Sequence, residues 1–304
     1  MKNYIKYDPW KIIEEGFNPD YNKISESICS LGNGKFGQRA NFEESFSGKT
    51  LQGNYVSGVY YPDKTRVGWW KNGYPEYFAK MLNAPSWIGI KTTVQGEDLD
   101  LNKCEIQDFS RVLDMKKGVL ERRFTAKTQS GKIFQVVATR FLSVLRDEIG
   151  AIKYTIIPKN FSAEAEILCD VDADIKNEDS NYDEKFWIEI LKTSDDNNTF
   201  VTAETKKTQF QVCTAVKMEL SNFSKVENIL KENTLPKNTP FNLLKTKNLR
   251  FINTPPLPRR CIIQKRKFLQ KRCKFWKRLI MTVLKNFLMN KSKLGTKNGR
   301  NPTL

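Results

Sequence analysis

The sequence contains no histidine among its 304 residues. Histidine is the commonest general base near neutral pH and the commonest metal ligand in proteins. Its absence excludes Ser-His-Asp and Cys-His mechanisms for this chain alone. The six cysteines include no C-x-x-C pair, so they predict reduced thiols rather than a disulfide framework or a zinc site.

Long apolar runs are also missing, and none approaches the roughly 18 residues of a transmembrane helix. The start of the chain carries charges throughout and lacks the apolar core of a signal peptide. Apolar residues nevertheless make up 39% of the chain and aromatic residues 12%, which is enough for a hydrophobic core. We therefore expect a cytoplasmic protein of one large domain or two ordinary ones, without membrane contact.

Acidic residues are almost missing from the last part of the chain. Residues 221–304 contain 21 of the 51 Lys and Arg residues but only two of the 34 acids, Glu227 and Glu232. Residues 1–220 therefore hold 30 basic and 32 acidic side chains, although the whole chain has a net charge of +17. We predict a near-neutral globular domain over 1–220 and a strongly basic tail over 221–304.

Alternation of apolar and polar residues predicts strands throughout residues 1–220. Examples are “AEAEILCDVD” (163–172), “AIKYTIIP” (151–158) and the two β-rich runs on either side of a turn at 129–132. Several short strands separated by turns are typical of an antiparallel β-sandwich, so we predict an all-β fold. Helical patterning is weak, and its best candidate is “YPEYFAKML” (74–82), opened by Pro75.

The segment “SLGNGKFGQRANFEE” (30–44) has the G-x-G-x-x-G spacing of a dinucleotide-binding loop, at Gly32, Gly34 and Gly37. That fingerprint requires a buried strand before it and a long amphipathic helix after it. Here the preceding residues are polar, and Gly48 and Gly53 interrupt the following ones. We predict a tight loop in which glycine permits positive φ or close backbone approach.

Three longer stretches together resemble one family. They are “ESICSLGNGKFGQRANFEESFSGKTLQGNYVSGVYYPDKTRVGWWKNGYPEYFAKMLNAPSWIGI” (26–90), “FSRVLDMKKGVLERRF” (109–124) and “NEDSNYDEKFW” (177–187). They resemble the N-terminal region of bacterial maltose phosphorylases, in glycoside hydrolase family 65, whose relatives phosphorolyse trehalose or kojibiose. The resemblance covers about residues 5–220. Lys35 and Ala40 depart from it, because they stand where an aromatic residue and a glycine are expected.

The resemblance implies a three-part enzyme with an N-terminal β-sandwich, a helical (α/α) barrel and a small C-terminal β-domain. It implies that a glutamic acid of the barrel protonates the glycosidic oxygen while inorganic phosphate attacks the anomeric carbon from the opposite face. Maltose and phosphate would give β-glucose 1-phosphate and glucose, with phosphate as co-substrate and no metal or organic cofactor. A disaccharide substrate and a homodimer are the partners that it implies.

On this resemblance the chain ends before the barrel, so no residue is assigned a catalytic role. We expect a truncated, frameshifted member of the family that supplies the non-catalytic N-terminal sandwich and is inactive alone. Two alternatives belong to other functional classes. One is a carbohydrate-binding or scaffold module that acts with a separately encoded catalytic domain, and the other is a basic-tailed nucleic-acid binder.

The richest candidate for a site is “RVGWWKNGYPEYF” (66–78), which contains Trp69, Trp70, Lys71, Asn72 and Glu76. Adjacent tryptophans on an extended strand place one indole on each face. One indole is then available to stack on a sugar ring while the polar residues hydrogen-bond its hydroxyls. The alternatives are an interface with the missing barrel and ordinary core packing. We predict a sugar contact or a barrel contact, and no metal site.

Other candidate groups favour structural roles. The acidic stretch 170–184 lacks the glycine and the glutamate of an EF-hand loop, so we predict an acidic loop that is solvated or faces another domain. By the resemblance, Tyr182 and Trp187 pack near the barrel and would be exposed here. Paired acids such as Glu43–Glu44 are interpreted as solvated, and Cys29 as a small buried residue.

The tail contains “RRCIIQKRKFLQKRCKFWKRLI” (259–280), a basic and aromatic pattern found in nucleic-acid binders and in helices on acidic membranes. A third interpretation is a shifted reading frame. Asp and Glu codons begin with GA, so a shifted frame of an AT-rich gene loses acids, and no acid follows Glu232. We favour this third interpretation, with the break between Ser221 and Lys237 and no specific nucleic acid or membrane partner. Such a tail is expected to be disordered and not to pack on the sandwich.

Overall fold

The computed structural model describes residues 4–65, 73–169, 171–177, 185–195, 198–220, 239–242 and 247–254. The chain divides into two compact units, Met1–Arg259 and Arg260–Leu304, and all described residues belong to the first unit. The helical elements among them are a 3-10 turn at Pro19–Tyr21 and one helix, α1, at Asn22–Ile28. No helix in these ranges is long and apolar enough to cross a membrane.

The rest of the regular structure in the described ranges is β. The strands are β1 (Ile5–Tyr7), β2 (Lys11–Glu15), β3 (Leu31–Gly32), β4 (Phe36–Gln38), β5 (Asn54–Val56), β6 (Tyr60–Lys64), β7 (Tyr77–Met81), β8 (Ile90–Val94), β9 (Glu97–Asp98), β10 (Glu105–Asp114), β11 (Val119–Lys127), β12 (Ile133–Leu142), β13 (Gly150–Pro158), β14 (Glu164–Cys169), β15 (Trp187–Asp195), β16 (Asn198–Thr205), β17 (Gln211–Leu220), β18 (Thr239–Asn242) and β19 (Lys247–Thr254).

Ten strands form one sheet in the order β1-β2-β10-β11-β12-β13-β19-β17-β16-β15, and their pairings are antiparallel. Strands β11 and β12 pair over their whole length, from Val119 opposite Phe141 to Lys127 opposite Ile133. The turn between them contains Gly131 at φ +83°, a backbone conformation that favours glycine. The predicted hairpin around 129–132 is therefore confirmed.

The core lies between this sheet and a four-stranded sheet in the order β18-β14-β8-β9. One cluster of buried side chains contains members of both, including Phe124 and Val136 from the large sheet and Ile90 and Ala165 from the small one. Alternation of buried and half-buried residues along β12 places every second side chain in this core. The predicted all-β, antiparallel sandwich is thus confirmed.

The candidate helix at 74–82 is wrong, because this stretch contains strand β7. Strand β7 pairs with β6 from Tyr60 opposite Met81 to Lys64 opposite Tyr77. The two form a hairpin of their own beside the main sheets. Aromatic residues such as Tyr77 and Phe78 are well suited to a pleated surface, and this tertiary pairing outweighs the weak helical spacing of the apolar residues.

Two strands come from the part of the chain that was predicted to be an unpacked tail. Strand β19 lies between β13 and β17, with Leu249 opposite both Tyr154 and Leu220. Strand β18 pairs with β14 at the edge of the smaller sheet. The expectation that nothing beyond Leu220 packs on the sandwich is wrong for these strands, since short β-rich runs satisfy the backbone groups of their neighbours. The remainder of 221–304 lies outside the described residues.

Candidate functional site

The glycine-rich segment forms a small β-hairpin made of β3 and β4. Gly32 lies directly opposite Gly37 in this pair, and Gly34 in the turn has φ +87°. The described residues after it contain a further strand, β5, paired with β4, instead of the helix that a dinucleotide site needs. The prediction of a tight loop whose glycines serve backbone geometry is confirmed.

Asn33 holds this hairpin in place through both ends of its amide. Its side-chain oxygen accepts hydrogen bonds from the backbone N–H groups of Lys35 and Phe36, at 3.0 and 2.9 Å. Its side-chain nitrogen donates to the carbonyl oxygens of Ser143 and Asp147, at 2.8 and 2.7 Å. The Lys35 ammonium also lies 3.4 Å from an Asp147 carboxylate oxygen. The glycine hairpin is therefore fixed to the loop between β12 and β13.

The β6–β7 hairpin is anchored through one of its faces. On that face, the ring of Tyr61 packs 4.5 Å from the ring of Phe186. Lys80 and Asp63 form a buried ion pair at 2.5 Å. The hydroxyl of Thr208 donates to the carbonyl of Tyr60 at 2.9 Å. The ion pair joins the two strands of the hairpin, and the other two contacts tie the hairpin to the residue before β15 and to the turn between β16 and β17.

A groove of about 550 Å³ lies between the glycine hairpin and the β6–β7 hairpin. Most of its lining is apolar or glycine backbone, and its larger side chains are Phe36, Tyr55, Val56, Val59, Tyr60 and Met81. Lys35 and Ser57 supply the polar side chains other than the tyrosines, and the described residues that line the groove include no Asp or Glu. The groove is suited to apolar contacts, and its described lining supplies no carboxyl group for proton transfer.

The predicted site residues fall in the chain between β6 and β7. Glu76 is exposed, and its backbone carbonyl accepts a hydrogen bond from the Thr65 N–H at 2.8 Å. The other four, Trp69, Trp70, Lys71 and Asn72, lie outside the described residues. The sequence did not predict the groove itself, because its lining comes from five separate strands and two turns. The signal available was the run of aromatic residues in 55–61 next to the glycine segment.

The segment after the acidic stretch is more deeply packed than predicted. Trp187 is buried, and its indole N–H donates to the carbonyl of Asn83 at 2.7 Å. The backbone N–H of Asn83 in turn donates to the side chain of Asn177 at 2.9 Å. The prediction of an exposed Trp187 is therefore wrong, because β15 carries it into a second core cluster that also contains Phe186. Tyr182 lies outside the described residues.

Three buried arginines form an ionic cluster inside the sandwich, next to the last residues of the glycine-rich segment 30–44. Arg111 and Arg122 are direct partners across β10 and β11, Arg140 lies on β12, and all three are buried. One guanidinium nitrogen of Arg122, Nη2, donates to both Glu43 and Glu44 at 2.5 Å. The prediction that Glu43 and Glu44 are solvated is therefore wrong, since buried arginines require buried acids.

The two glutamates of this cluster differ in their pKa. Burial raises the pKa of Glu44, the Arg122 charge offsets this only in part, and the neighbouring Glu43 charge raises it further. Burial also acts on Glu43, but Arg140 and Arg122 outweigh it and lower the pKa of that carboxyl. Glu43 therefore serves as the counter-ion of two arginines. The cluster is enclosed and ties β11 and β12 to the segment between β4 and β5.

Cys29 is also in the interior of the sandwich, close to Arg111 of this cluster. It is fully buried, and burial raises the pKa of its thiol to about 11. A thiol of such pKa is inert as a nucleophile near neutral pH. The prediction that Cys29 is a small buried residue is confirmed. Among the residues that the structure describes, no group of three Cys, Asp or Glu side chains is placed to hold a metal ion.

Comparison with known proteins places the fold among sugar-active enzymes. The family model “Glycosyl hydrolase family 65, N-terminal domain” matches residues 12–252, so the matched domain extends beyond the predicted boundary at Leu220. The chain is 42% identical over 206 residues to the maltose phosphorylase of Bacillus subtilis (strain 168), covering 68% of this chain and 27% of that protein. It is 32% identical over 241 residues to the α,α-trehalose phosphorylase of Thermoanaerobacter brockii, covering 74% of this chain and 31% of that protein.

A solved structure shows the same architecture. It is a protein from the human microbiome assigned as a kojibiose phosphorylase, with a TM-score of 0.76 and 25% sequence identity. The superposition covers 92% of this chain but only 36% of that structure. The chain thus spans roughly a quarter to a third of the length of the phosphorylases it matches.

Proposed function

Because the chain belongs to glycosyl hydrolase family 65, as its match to the N-terminal domain over residues 12–252 shows, we propose that it forms the non-catalytic domain of an inverting disaccharide phosphorylase. The reaction of that enzyme is phosphorolysis of an α-glucosidic disaccharide. Maltose is the first choice of substrate, since the Bacillus subtilis maltose phosphorylase shares 42% identity with this chain. Carbohydrate metabolism is the broader process to which its relatives belong.

The proposed reaction needs groups that the described residues do not bring together. A carboxylic acid protonates the glycosidic oxygen as the bond to the anomeric carbon breaks, and phosphate forms the new bond to that carbon from the opposite face. The groove has no Asp or Glu in its lining, and Glu43 and Glu44 are enclosed with Arg122. The proposal depends on one combined observation: the fold is the N-terminal sandwich of family 65, and the described lining of its groove contains no Asp or Glu.

The test is an activity measurement on the purified 304-residue chain. It is incubated with maltose and inorganic phosphate, and glucose 1-phosphate is measured with a coupled enzyme assay. We expect no product above the background without protein, while the Bacillus subtilis maltose phosphorylase in parallel gives product. Release of glucose 1-phosphate by this chain alone would show that its own residues supply the general acid, and the non-catalytic assignment would be withdrawn.

We also propose that Trp69 and Trp70, with Lys71, Asn72 and Glu76, contact either sugar or the catalytic part of the enzyme. Tyr74 and Glu76, which follow the two tryptophans in the chain, are exposed, and this supports the proposal for Glu76. Maltose is titrated while tryptophan fluorescence is recorded, with the double variant Trp69→Phe/Trp70→Phe as control. A saturable change that the double variant lacks supports the sugar contact. If fluorescence does not change at tens of millimolar maltose, a range that covers weak binding, the sugar contact is rejected. The contact with the catalytic part of the enzyme is then the proposal that stands.

The frameshift interpretation of the basic tail stays a proposal. The family match extends to residue 252, and we therefore propose a change of frame near or after that residue instead of within the predicted interval 221–237. Sequencing the gene and its downstream DNA is the test. We expect the family resemblance to continue in another frame shortly after the matched range. A single open frame without such a continuation would favour a separate scaffold module. A homodimer and a cytoplasmic location also stay predictions.

A further inference from the structure

The outer face of the β6–β7 hairpin is an exposed apolar surface. Cross-strand partners place Tyr60, Pro62 and Lys64 on this face, opposite Met81, Ala79 and Tyr77. We call these six residues the hairpin face. The exposed fractions are 43% for Tyr60, 51% for Tyr77 and 63% for Met81. Single exposed apolar residues are ordinary, but a contiguous set marks a contact surface.

The hairpin face is continuous with the groove. Tyr60, Ala79 and Met81 belong to both, so the flat face leads into a concave surface that the glycine hairpin closes on its other side. Both walls are fixed. Asn33 anchors one of them through four hydrogen bonds, and the Tyr61–Phe186 ring contact and the hydrogen bond from Thr208 to Tyr60 anchor the other. A surface ordered in advance loses little conformational entropy when a partner binds.

The chemistry of the groove favours a protein occupant over a sugar. Specific sugar binding needs several converging hydrogen-bonding groups, because every hydroxyl that loses water must find a partner. The groove offers mainly apolar side chains and glycine backbone. Its hydrogen-bonding side chains are those of Tyr55, Ser57, Tyr60 and Lys35, and Lys35 already contacts Asp147. Aromatic residues and methionine are the side chains enriched at protein interfaces.

The size of the relatives indicates which protein segment fits. The family match identifies this fold as an N-terminal domain, and the matches cover only 27%, 31% and 36% of the lengths of the relatives. We propose that the hairpin face and the groove form the docking surface for the part of the polypeptide that follows this domain in the longer phosphorylases. This inference rests on the proposed function, and it specifies the surface through which the two parts meet.

The test compares accessibility with and without the following part. A hybrid is built in which residues 12–252 replace the matched region of the Bacillus subtilis maltose phosphorylase. Met81→Cys is introduced in the hybrid and in the 304-residue chain, and its reaction with a thiol reagent is followed by mass spectrometry. Ile190→Cys on β15, where the native side chain is 41% exposed, is the matched control.

We expect labelling at position 81 to be slower in the hybrid than in the 304-residue chain by about tenfold or more, as burial in an interface requires local opening. Labelling at position 190 should be equal in the two proteins. Equal labelling at position 81 in a hybrid that still phosphorolyses maltose overturns the docking surface and leaves the proposed function intact. Protection at position 81 in a folded but inactive hybrid supports the surface and counts against the proposed function.

A second measurement decides the matter if the hybrid does not fold. The following part of the Bacillus subtilis enzyme is produced separately and titrated with the 304-residue chain. We expect Met81→Lys to weaken the association by about tenfold, as a charge in an interface core does, and Ile190→Lys to leave it unchanged. Equal affinities for the wild-type chain and Met81→Lys, or no association, would overturn the proposal.

Discussion

At the scale of single residues, Glu43 and Glu44 are neighbours in sequence with opposite electrostatic roles. Glu43 accepts from Arg122, and its other oxygen lies 3.5 Å from Arg140 Nε. Glu44 shares Arg122 with Glu43, and its remaining surroundings include the buried hydroxyl group of Tyr154. Removing the charge of Glu43 leaves buried arginine without compensation, whereas removing the charge of Glu44 relieves repulsion between two carboxylates.

We predict that Glu43→Gln lowers the free energy of unfolding by about 3–5 kcal/mol, the usual result of breaking a buried ion pair. Glu44→Gln preserves the shape and should lower it by only about 1 kcal/mol at neutral pH, the scale of one altered hydrogen bond. Urea unfolding of both variants and the wild type at pH 7 measures the difference. Equal losses for the two variants would contradict the assigned roles.

The pH dependence of the same variants gives an independent check. Because the pKa of Glu44 is raised in the folded state, its contribution to stability is fully present below its ordinary value and is lost as pH rises through the folded value. Arg122, Arg140, Tyr154 and Glu43 are the charged and titratable groups that face it. The stability of Glu44→Gln relative to wild type should therefore increase with pH above about 4.5, the ordinary glutamate pKa.

At the scale of elements, residue patterns predicted where the strands are better than they predicted which residues pair across the fold. Period-two alternation located β11, β12 and β13, and the Gly131 turn fixed the first of their hairpins. The same alternation places Arg122 between Leu120 and Phe124 on the buried face of β11, a signal that acids such as Glu43 must be buried too. The pattern did not indicate which acids these would be, because the pairing joins segments 79 residues apart.

Strand β7 shows the other limit of local patterns. Its residues fit a helix or a strand, and pairing with β6 decides between them. A dinucleotide-binding loop at the glycine segment was easier to reject, because such a site needs a helix that the following residues do not provide. Local sequence thus rejects an incompatible element more reliably than it chooses between two compatible ones.

A testable link between elements is the contact of Glu97 with the β11–β12 turn. Its carboxylate accepts hydrogen bonds from the Thr128 and Ser130 hydroxyls, and it pairs with Lys132 at 3.0 Å. Partial burial opposes the charge, but the hydrogen bonds from Ser130, Lys132 and Thr128 lower the pKa of Glu97 to about 2. This carboxylate therefore stabilises the fold above the ordinary glutamate pKa, and the contribution is lost as pH falls towards 2.

We predict that Glu97→Gln lowers the free energy of unfolding at pH 7 by about 1 kcal/mol or less, because the group is partly screened by solvent. The difference from wild type should shrink between pH 4.5 and 2, where the wild-type carboxylate gains its proton. Thermal unfolding monitored by circular dichroism over this range measures it. Glu105→Gln, whose side chain is also paired with a lysine but is more exposed, serves as control and should change little.

At the scale of the whole molecule, charge divides the chain more sharply than the strands do. The sequence predicted a boundary near Leu220 from composition, whereas β18 and β19 and the family match extend the sandwich to about residue 252. Composition averages over many residues and is blind to a short paired strand such as β19. The compact unit that contains the sandwich ends at Arg259, whereas acids are already absent from residue 233 onwards.

This division predicts how the protein interacts with polyanions. Residues 260–304 carry 14 Lys and Arg and no acid, so their removal leaves 37 basic against 34 acidic residues, and the net charge falls from +17 to +3. Polyanion binding depends on released counter-ions and weakens steeply with salt. We expect the full chain to elute from heparin at distinctly higher salt than a chain ending at residue 259. Retention that is unchanged by the truncation would place the basic surface on the sandwich instead, and sequence-specific DNA binding by the full chain would restore the nucleic-acid hypothesis for the tail.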